Sequence, residues 1–201
     1  MVQREPAMPP TERRLEKFRR VLASRQPSLT VVMENIHDPH NVSAVFRSCD
    51  AVGVMRMELL YTVERFPRIG KKSSSSANKW IERRSHRTVD ECFSTLRSEG
   101  FRICATCLGA HSVSLYDLDL TQQVALVFGN EHRGVSEEAA AAADVKFQIP
   151  MAGMIQSLNV SVAAAVALYE AMRQRLRAGM YENPSLDEQC LSSLLEAWIG
   201  K

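Results

Sequence analysis

The sequence predicts an α/β protein built on a mainly parallel sheet flanked by helices. Short apolar runs alternate along the chain with amphipathic segments, which is the pattern of strands and crossover helices. Several of the apolar runs lead directly into polar loops, as the strands of an open parallel sheet do. With 201 residues, 45% of them hydrophobic and 24% charged, the chain suits one globular core with modest extensions.

The first predicted element is a basic helix over residues 11–26. Its apolar residues recur every three or four positions and form one narrow face: Leu15, Phe18 and Leu22. Thr11 is placed to cap the amino end, and Pro27 ends the helix. We expect this helix to belong to an N-terminal extension, residues 1–28, because so narrow an apolar face does not form a core by itself.

The core elements follow in alternation. Strands are expected at residues 29–33, 56–61, 101–108, 123–128 and 145–149. Helices are expected at residues 41–52, 88–98, 137–143, 158–177 and 187–199. Residues 62–79 carry a glycine and a run of serines, and we expect a long loop there. The core domain then covers residues 29–178, and residues 179–201 form a C-terminal helical extension.

Basic residues are unevenly distributed, although the formal net charge is only +2. They concentrate in the first helix, in residues 65–87 and at the end of the long helix. Separated basic clusters on a nearly neutral chain predict contact with a polyanion such as RNA. The residues predicted to bind RNA are Arg13, Arg14, Arg19, Arg20, Lys71, Lys72, Lys79, Arg173, Arg175 and Arg177. The alternatives are solvated helix faces and, for residues 62–79, a plain flexible linker.

The cysteine and histidine patterns argue against a metal or disulfide protein. Five cysteines is an odd number in a chain without a signal-peptide pattern, so we expect reduced thiols in the cytoplasm. Cys104 and Cys107 form a CxxC spelling, but inside a strand they are expected to be ordinary thiols. His37 and His40 have no third ligand nearby in the sequence and are expected to be exposed. The longest apolar run, residues 160–169, is too short to span a membrane.

Three polar loops, residues 34–47, 129–136 and 150–159, each follow a predicted strand. In an open parallel sheet such loops gather at the carboxyl ends of the strands, where ligands bind. Residues 148–171 combine an apolar strand end, a glycine-containing loop and a helix of small residues, which is typical of a site that holds a nucleotide-like ligand. An ordinary strand–loop–helix crossover is the alternative. The residues by themselves therefore predict a ligand-binding α/β domain with basic attachments.

Three segments carry a more specific signal: NIHDPHNVSAVFRSCDAVGV (residues 35–54), LVFGNEHRGVS (126–136) and IPMAGMIQSLNVSVAAAVALYEA (149–171). In these motifs, their order and their spacing, the chain resembles the SPOUT (SpoU/TrmH) superfamily of RNA ribose 2′-O-methyltransferases. Within it, the chain looks most like the type that methylates guanosine 18 of the tRNA D-loop. The resemblance implies a C-terminal trefoil knot, S-adenosylmethionine as cofactor, tRNA as substrate, a homodimer, and no metal.

The resemblance also implies site residues by motif position. Cofactor contacts are expected from Thr106, Gly129, Asn130, Ile149, Ser157 and Leu158. The catalytic set is expected to be Asn41, Arg47, Glu131, Ser157 and Asn159. Arg47 is expected to bind the phosphate beside the reacting ribose, held by the last three of that set, because an arginine resists deprotonation and makes a poor base. His132 and Arg133 form a variable pair of the motif and receive no role.

Two structural expectations accompany these assignments. Gly129 is expected to leave no room for a Cβ atom because its backbone meets the ligand. The helix over residues 42–52 carries much apolar surface and is expected to face the partner subunit. Two alternatives stay open: a methyltransferase of ribosomal RNA or of another tRNA position, and a non-catalytic RNA-binding member of the same fold.

Overall fold

A computed structural model describes residues 10–68 and 77–201, and over these residues the chain forms one sheet of seven parallel strands. The strands are β1 (Leu29–Glu34), β2 (Arg56–Leu60), β3 (Glu82–His86), β4 (Arg102–Thr106), β5 (Val113–Ser114), β6 (Val124–Phe128) and β7 (Val145–Gln148). Their order across the sheet is β3-β2-β1-β6-β4-β7-β5. The predicted α/β class with a parallel sheet is confirmed.

Helices cover both faces of this sheet. They are α1 (Glu12–Ala23), α2 (Pro39–Ala51), α3 (Val89–Ser98), α4 (Glu137–Ala142), α5 (Val160–Arg177) and α6 (Glu188–Ile199). Val31 and Met33 of β1 pack in one core cluster with residues of α2 and α5, whereas Val32 packs in a second cluster with residues of α3 and α4. Because both faces are covered, every residue of β1 and β6 is buried, which explains their continuous apolar character.

The helices that border the carboxyl edge of the sheet begin at capping side chains. The Asp38 carboxylate accepts a hydrogen bond from the backbone N–H of His40 at the start of α2, where Pro39 occupies the first position. Ser136 caps α4 and Asn159 caps α5 in the same way. These caps fix where each loop becomes a helix. The cap expected of Thr11 on α1 is wrong, because its side chain makes no capping hydrogen bond.

The two terminal helices pack on each other. Phe18 of α1 lies 5.7 Å from Trp198 of α6 and 5.3 Å from Trp80, measured between ring centroids. Leu22 completes this small aromatic cluster. Arg25, just after α1, is buried and donates to the backbone oxygens of Val54 and Trp80. The narrow apolar face of α1 therefore has a partner inside the same chain.

The strand β3 was not predicted, because its sequence ERRSH is almost entirely polar and resembles a loop. It is an edge strand with only His86 buried, and His86 lies 2.7 Å from the buried carboxylate of Glu58 on β2. Arg84 donates to the same carboxylate at 2.8 Å. Charge pairing with the neighbouring strand replaces the usual apolar pattern here. The loop expected over residues 62–79 falls partly outside the described residues, which omit 69–76.

The apolar residues of α2 are used within the chain. Val42, Val45, Phe46 and Cys49 are fully buried in the core cluster that also contains α5. The argument that α2 carries surplus apolar surface for a partner subunit is therefore wrong, since that surface faces its own sheet.

The expected state of the thiols and histidines is confirmed. All five cysteines are free, and Cys104 is buried in β4. Burial raises the pKa of the Cys104 thiol to about 11. His37 and His40 are exposed. None of the helices in the described ranges is long and apolar enough to cross a membrane.

Candidate functional site

A cavity of about 450 Å³ opens at the carboxyl edge of the sheet, beside the ends of β4, β6 and β7. Its walls include every residue that was expected to contact the cofactor: Thr106, Gly129, Asn130, Ile149, Ser157 and Leu158. Apolar side chains such as Phe147 and Val160 supply much of the remaining surface. Its size falls in the range of sites that hold small organic ligands, which are about 300 to 1,000 Å³.

The loop after β6 folds back tightly on itself. Asn130 and Gly134 exchange two backbone hydrogen bonds, of 3.0 and 2.8 Å. A Cβ atom on Gly129 would lie 2.1 Å from the carbonyl carbon of Gly134, which is far inside van der Waals contact. Glycine is thus required at position 129, but the collision is with the loop's own backbone and not with a ligand. The expected absence of space is confirmed and its expected reason is corrected.

Both ends of this loop are tied to the end of β1. The Asn130 side-chain amide donates to the backbone oxygen of Asn35 at 2.8 Å, in a buried contact. The backbone N–H of Ser136 donates to the Glu34 carboxylate at 3.0 Å. The central strand therefore sets the position of the loop, and with it the position of Glu131.

Glu131 is the centre of a hydrogen-bond chain that joins three loops. One carboxylate oxygen accepts from the Asn41 side-chain amide at 3.0 Å and from the backbone N–H of Asp38 at 3.0 Å. The other accepts from the backbone N–H of His37 at 3.1 Å. Asn41 in turn accepts from the Asn159 amide at 3.1 Å. The chain links the loop after β6 to the amino ends of α2 and α5.

This network also determines the charge of Glu131. Partial burial by itself would raise the pKa of the Glu131 carboxyl, but the hydrogen bonds from Asn41, His37 and Asp38 outweigh burial and lower that pKa. Glu131 is therefore a carboxylate at neutral pH. It acts as a fixed acceptor that holds the start of α2.

Arg47 and Ser157 stand apart from this chain. Arg47 is exposed and makes no hydrogen bond or ion pair with any residue in the ranges 10–68 and 77–201. Asn41 and Arg47 lie six positions apart on α2, which places them about 240° apart around the helix. Ser157 is exposed in the loop before α5. Within one chain, Arg47 is thus not held by Glu131, Ser157 and Asn159 as expected.

The residues predicted to bind RNA fall into different environments. Arg13, Arg14, Arg19 and Arg20 are exposed on α1, and Arg19 pairs with Glu12 at 3.1 Å. Lys79 and Arg177 are exposed. Arg173 is exposed and forms two hydrogen bonds, of 2.8 and 2.6 Å, with the Glu170 carboxylate. Lys71 and Lys72 lie outside the described residues.

The prediction that Arg175 contacts RNA is wrong for a free side chain, because Arg175 is fully buried. Its guanidinium donates to the backbone oxygens of Leu120, Gln122 and Ser28, at 2.9, 2.8 and 3.1 Å. It also donates to the Ser28 hydroxyl and the Gln26 side-chain oxygen. Arg175 thereby ties α5 to the segments that enter β1 and β6, at the edge of the sheet opposite the cavity.

Sequence reasoning assigned no role to Asn35, which follows β1 directly. Its φ of 52° is the only positive value for a non-glycine residue in the described part of the chain. Its side chain accepts hydrogen bonds from the segment after β2, and its carbonyl accepts from Asn130. An asparagine directly after a buried strand was the available signal, since asparagine tolerates the left-handed region better than most residues.

Comparison with known proteins agrees with this site. A profile of the SpoU rRNA Methylase family matches residues 28–169, and the chain belongs to this family. It is 46% identical to the tRNA (guanosine(18)-2'-O)-methyltransferase of Thermus thermophilus, over 95% of this chain and 98% of that protein. The described fold is therefore that of a methylase family.

Solved structures give the same result. The Aquifex aeolicus TrmH/SpoU tRNA modifying enzyme matches with a TM-score of 0.89 and 40% identity, covering 94% of this chain and 96% of that chain. The SpoU methyltransferase AviRb of Streptomyces viridochromogenes, solved in complex with AdoMet, matches with a TM-score of 0.68 and 25% identity. That match covers 77% of this chain and 62% of that chain.

Proposed function

We propose that this protein transfers a methyl group from S-adenosylmethionine to the ribose 2′-oxygen of guanosine 18 in tRNA. The observation that carries the reaction class is the joining of the cavity to the Asn41–Glu131–Asn159 chain at one edge of the sheet. The position within tRNA rests on the Thermus thermophilus relative, which is named for guanosine 18 and matches over nearly the whole of both chains.

The cavity suits S-adenosylmethionine in size and in chemistry. Backbone groups of the loop that begins at Gly129, together with Ile149 and Leu158, offer hydrogen-bonding edges and apolar walls for a nucleoside. When bound, the cofactor supplies an electrophilic methyl group. Such a transfer needs in-line placement of the ribose oxygen, so positioning by the protein carries most of the catalysis.

Arg47 is the residue that we assign to the substrate phosphate. Its guanidinium stays charged and presents a planar fork that matches phosphate oxygens. Its exposure and its lack of a partner in the described ranges leave that fork free for RNA. Glu131 and Asn159, through Asn41, fix the start of the helix that carries Arg47, so their proposed role is to aim Arg47 and not to bond it.

A homodimer is part of the same proposal, with a different apolar surface from the one first expected. Val162, Tyr169 and Leu176 are exposed by 47%, 54% and 51%, and their seven-residue spacing places them on one side of α5. A second copy of the chain would cover this stripe. Replacing Tyr169 by glutamate should then give inactive monomers in sedimentation at assay concentration, and fully active monomers would contradict the dimer.

Three further features belong to the proposal. The trefoil knot in the C-terminal part is supported by the third motif and by the likeness to the TrmH/SpoU structure. Residues 29–178 are proposed as the methyltransferase domain, with residues 1–28 and 179–201 as helical extensions that contact RNA. The cytoplasm is proposed as the site of action because all five thiols are free and the substrate is tRNA.

The direct test uses purified protein, labelled S-adenosylmethionine and tRNA transcripts. A transcript with guanosine at position 18 should be labelled, and the same transcript with 2′-deoxyguanosine at that position should not. Labelling of both transcripts to the same extent would place the methyl group elsewhere and overturn the assignment. Labelling of ribosomal RNA alone would favour the ribosomal alternative.

A further inference from the structure

The turn that follows β1 is held in an unusual backbone conformation by Asn35. Its φ of 52° lies in the left-handed region, which a side chain with a Cβ atom adopts at an energetic cost. Asn35 is 6% exposed, and its backbone N–H donates to the carbonyl of Leu60 at the end of β2. A buried residue in a strained conformation is retained only where its surroundings hold it in place.

The Asn35 side chain organises the segment that follows β2. Its oxygen accepts hydrogen bonds from the backbone N–H groups of Thr62, Val63 and Glu64, at 3.0, 3.2 and 3.2 Å. Its amide donates to the Thr62 hydroxyl at 2.9 Å. Four hydrogen bonds from one side chain thus fix the turn over residues 62–64, which contains no regular secondary structure to hold it.

Glu64 projects from this turn and pairs with both loops around Glu131. Its carboxylate lies 2.8 Å from the Arg133 guanidinium, on the loop after β6. The same carboxylate lies 3.6 Å from the imidazole of His37, whose backbone N–H donates to Glu131. Glu64 is 28% exposed by side chain, so these charges are partly shielded from solvent.

The consequence is a support that surrounds Glu131. Asn35 fixes the turn, the turn aims Glu64, and Glu64 holds Arg133 on one side of Glu131 and His37 on the other. The carbonyl of Asn35 also receives the amide of Asn130, the residue just before Glu131. We propose that Asn35 and Glu64 are positioning residues for the methyl-transfer reaction, acting through Glu131 without touching the substrate.

This inference rests on the proposed function, because it takes Glu131 as part of the working site. A displacement of about 1 Å in a catalytic group lowers rates by up to about 10²-fold. Loss of the support should therefore appear in kcat for methyl transfer more than in cofactor affinity. Arg133, which received no role from the sequence, acquires one as the anchor point of Glu64.

The test compares Asn35→Gly with Asn35→Asp. Glycine keeps the left-handed backbone and removes all four side-chain hydrogen bonds. Aspartate keeps the acceptor oxygen and tolerates the same backbone region, and the Thr62 hydroxyl donates to it instead. We expect kcat to fall by about tenfold or more in Asn35→Gly and by less than about threefold in Asn35→Asp. Equal loss in both variants would overturn the proposal.

A second background separates positioning from general stability. In Glu131→Gln, the charge that the support positions is removed, so adding Asn35→Gly should lower kcat by less than about threefold further. Full additivity of the two losses would show that Asn35 acts independently of Glu131 and would overturn the proposal. If Glu131→Gln itself retains the activity of the natural protein, the proposed site fails and this inference fails with it.

Glu64→Ala keeps the proposal testable if Asn35→Gly does not fold, because Glu64 is partly exposed and carries no core packing. We expect it to lower kcat by about three- to tenfold, with thermal unfolding nearly unchanged. Glu196→Ala, an exposed glutamate on α6, is the matched control and should leave kcat unchanged. Glu64→Ala with the kcat of that control would overturn the proposal.

Discussion

Replacing Arg175 by alanine should destabilise the fold rather than remove an RNA contact. Its side chain is fully buried and donates five hydrogen bonds, three of them to backbone carbonyls. Burial lowers the pKa of the Arg175 guanidinium, but arginine remains charged at neutral pH. Alanine would leave buried acceptors without donors and a cavity where the guanidinium lies.

The magnitude follows from the acceptors left behind. Each unsatisfied buried acceptor costs about 1 to 3 kcal/mol, and partial entry of water places the total at about 3 to 5 kcal/mol. For a chain of this size, about 1 kcal/mol lowers Tm by about 2 to 4 °C, so Arg175→Ala should lower Tm by about 6 to 20 °C. Arg175→Lys should recover little of this loss, since a single ammonium does not reproduce the fork.

The assay is thermal unfolding followed by circular dichroism, with tRNA affinity measured well below Tm. Arg177→Ala is the control on the same helix, because Arg177 is exposed. We expect the control to unfold like the natural protein and to bind tRNA more weakly if it meets a phosphate. Arg175→Ala with an unchanged Tm and weakened tRNA binding would refute the structural interpretation of this arginine.

Three further outcomes are expected. Gly129→Ala should displace the loop after β6 and weaken S-adenosylmethionine binding by at least about tenfold in calorimetry, because a Cβ atom meets backbone at 2.1 Å; unchanged affinity would show that the loop yields. Arg47→Lys should bind cofactor normally yet lose most turnover, and near-normal turnover would show that the planar fork is dispensable. Replacing the four exposed arginines of α1 with glutamine should reduce the slope of log K for tRNA against log salt by just under about one unit per lost phosphate contact, and an unchanged slope would make α1 a scaffold. The residues concerned are Arg13, Arg14, Arg19 and Arg20.

Most of the fold could be predicted because the central strands are buried on both faces. β1 and β6 are continuous apolar runs, and a covered parallel strand requires such a run. β3 could not be predicted, because an edge strand that pairs its charges with Glu58 has no apolar pattern. The residues lining the cavity were predicted from motif position, and the structure brings all six together.

The contacts within the site were harder to predict than its members. Glu131 meets Asn41 across 90 residues of sequence, and Asn41 meets Asn159 across 118. Local patterns carry no information about which of several polar loops bond to each other. The same limit explains why Arg47 was expected among these groups, although the rotation of α2 places it on another side of the helix.

The sequence by itself determined the α/β class, the three polar loops, the residues of the cavity and the exposed basic face of α1, because each of these follows from local composition and periodicity. Only the tertiary structure decided that Gly129 is required by its own loop, that Asn35 supports Glu131, and that Arg175 is a buried tie. The physical reason is that the environment of a polar side chain depends on acceptors brought to it from distant segments. Arg175 and Arg177 are two positions apart on one helix, yet only Arg175 faces carbonyls from the segments that enter β1 and β6.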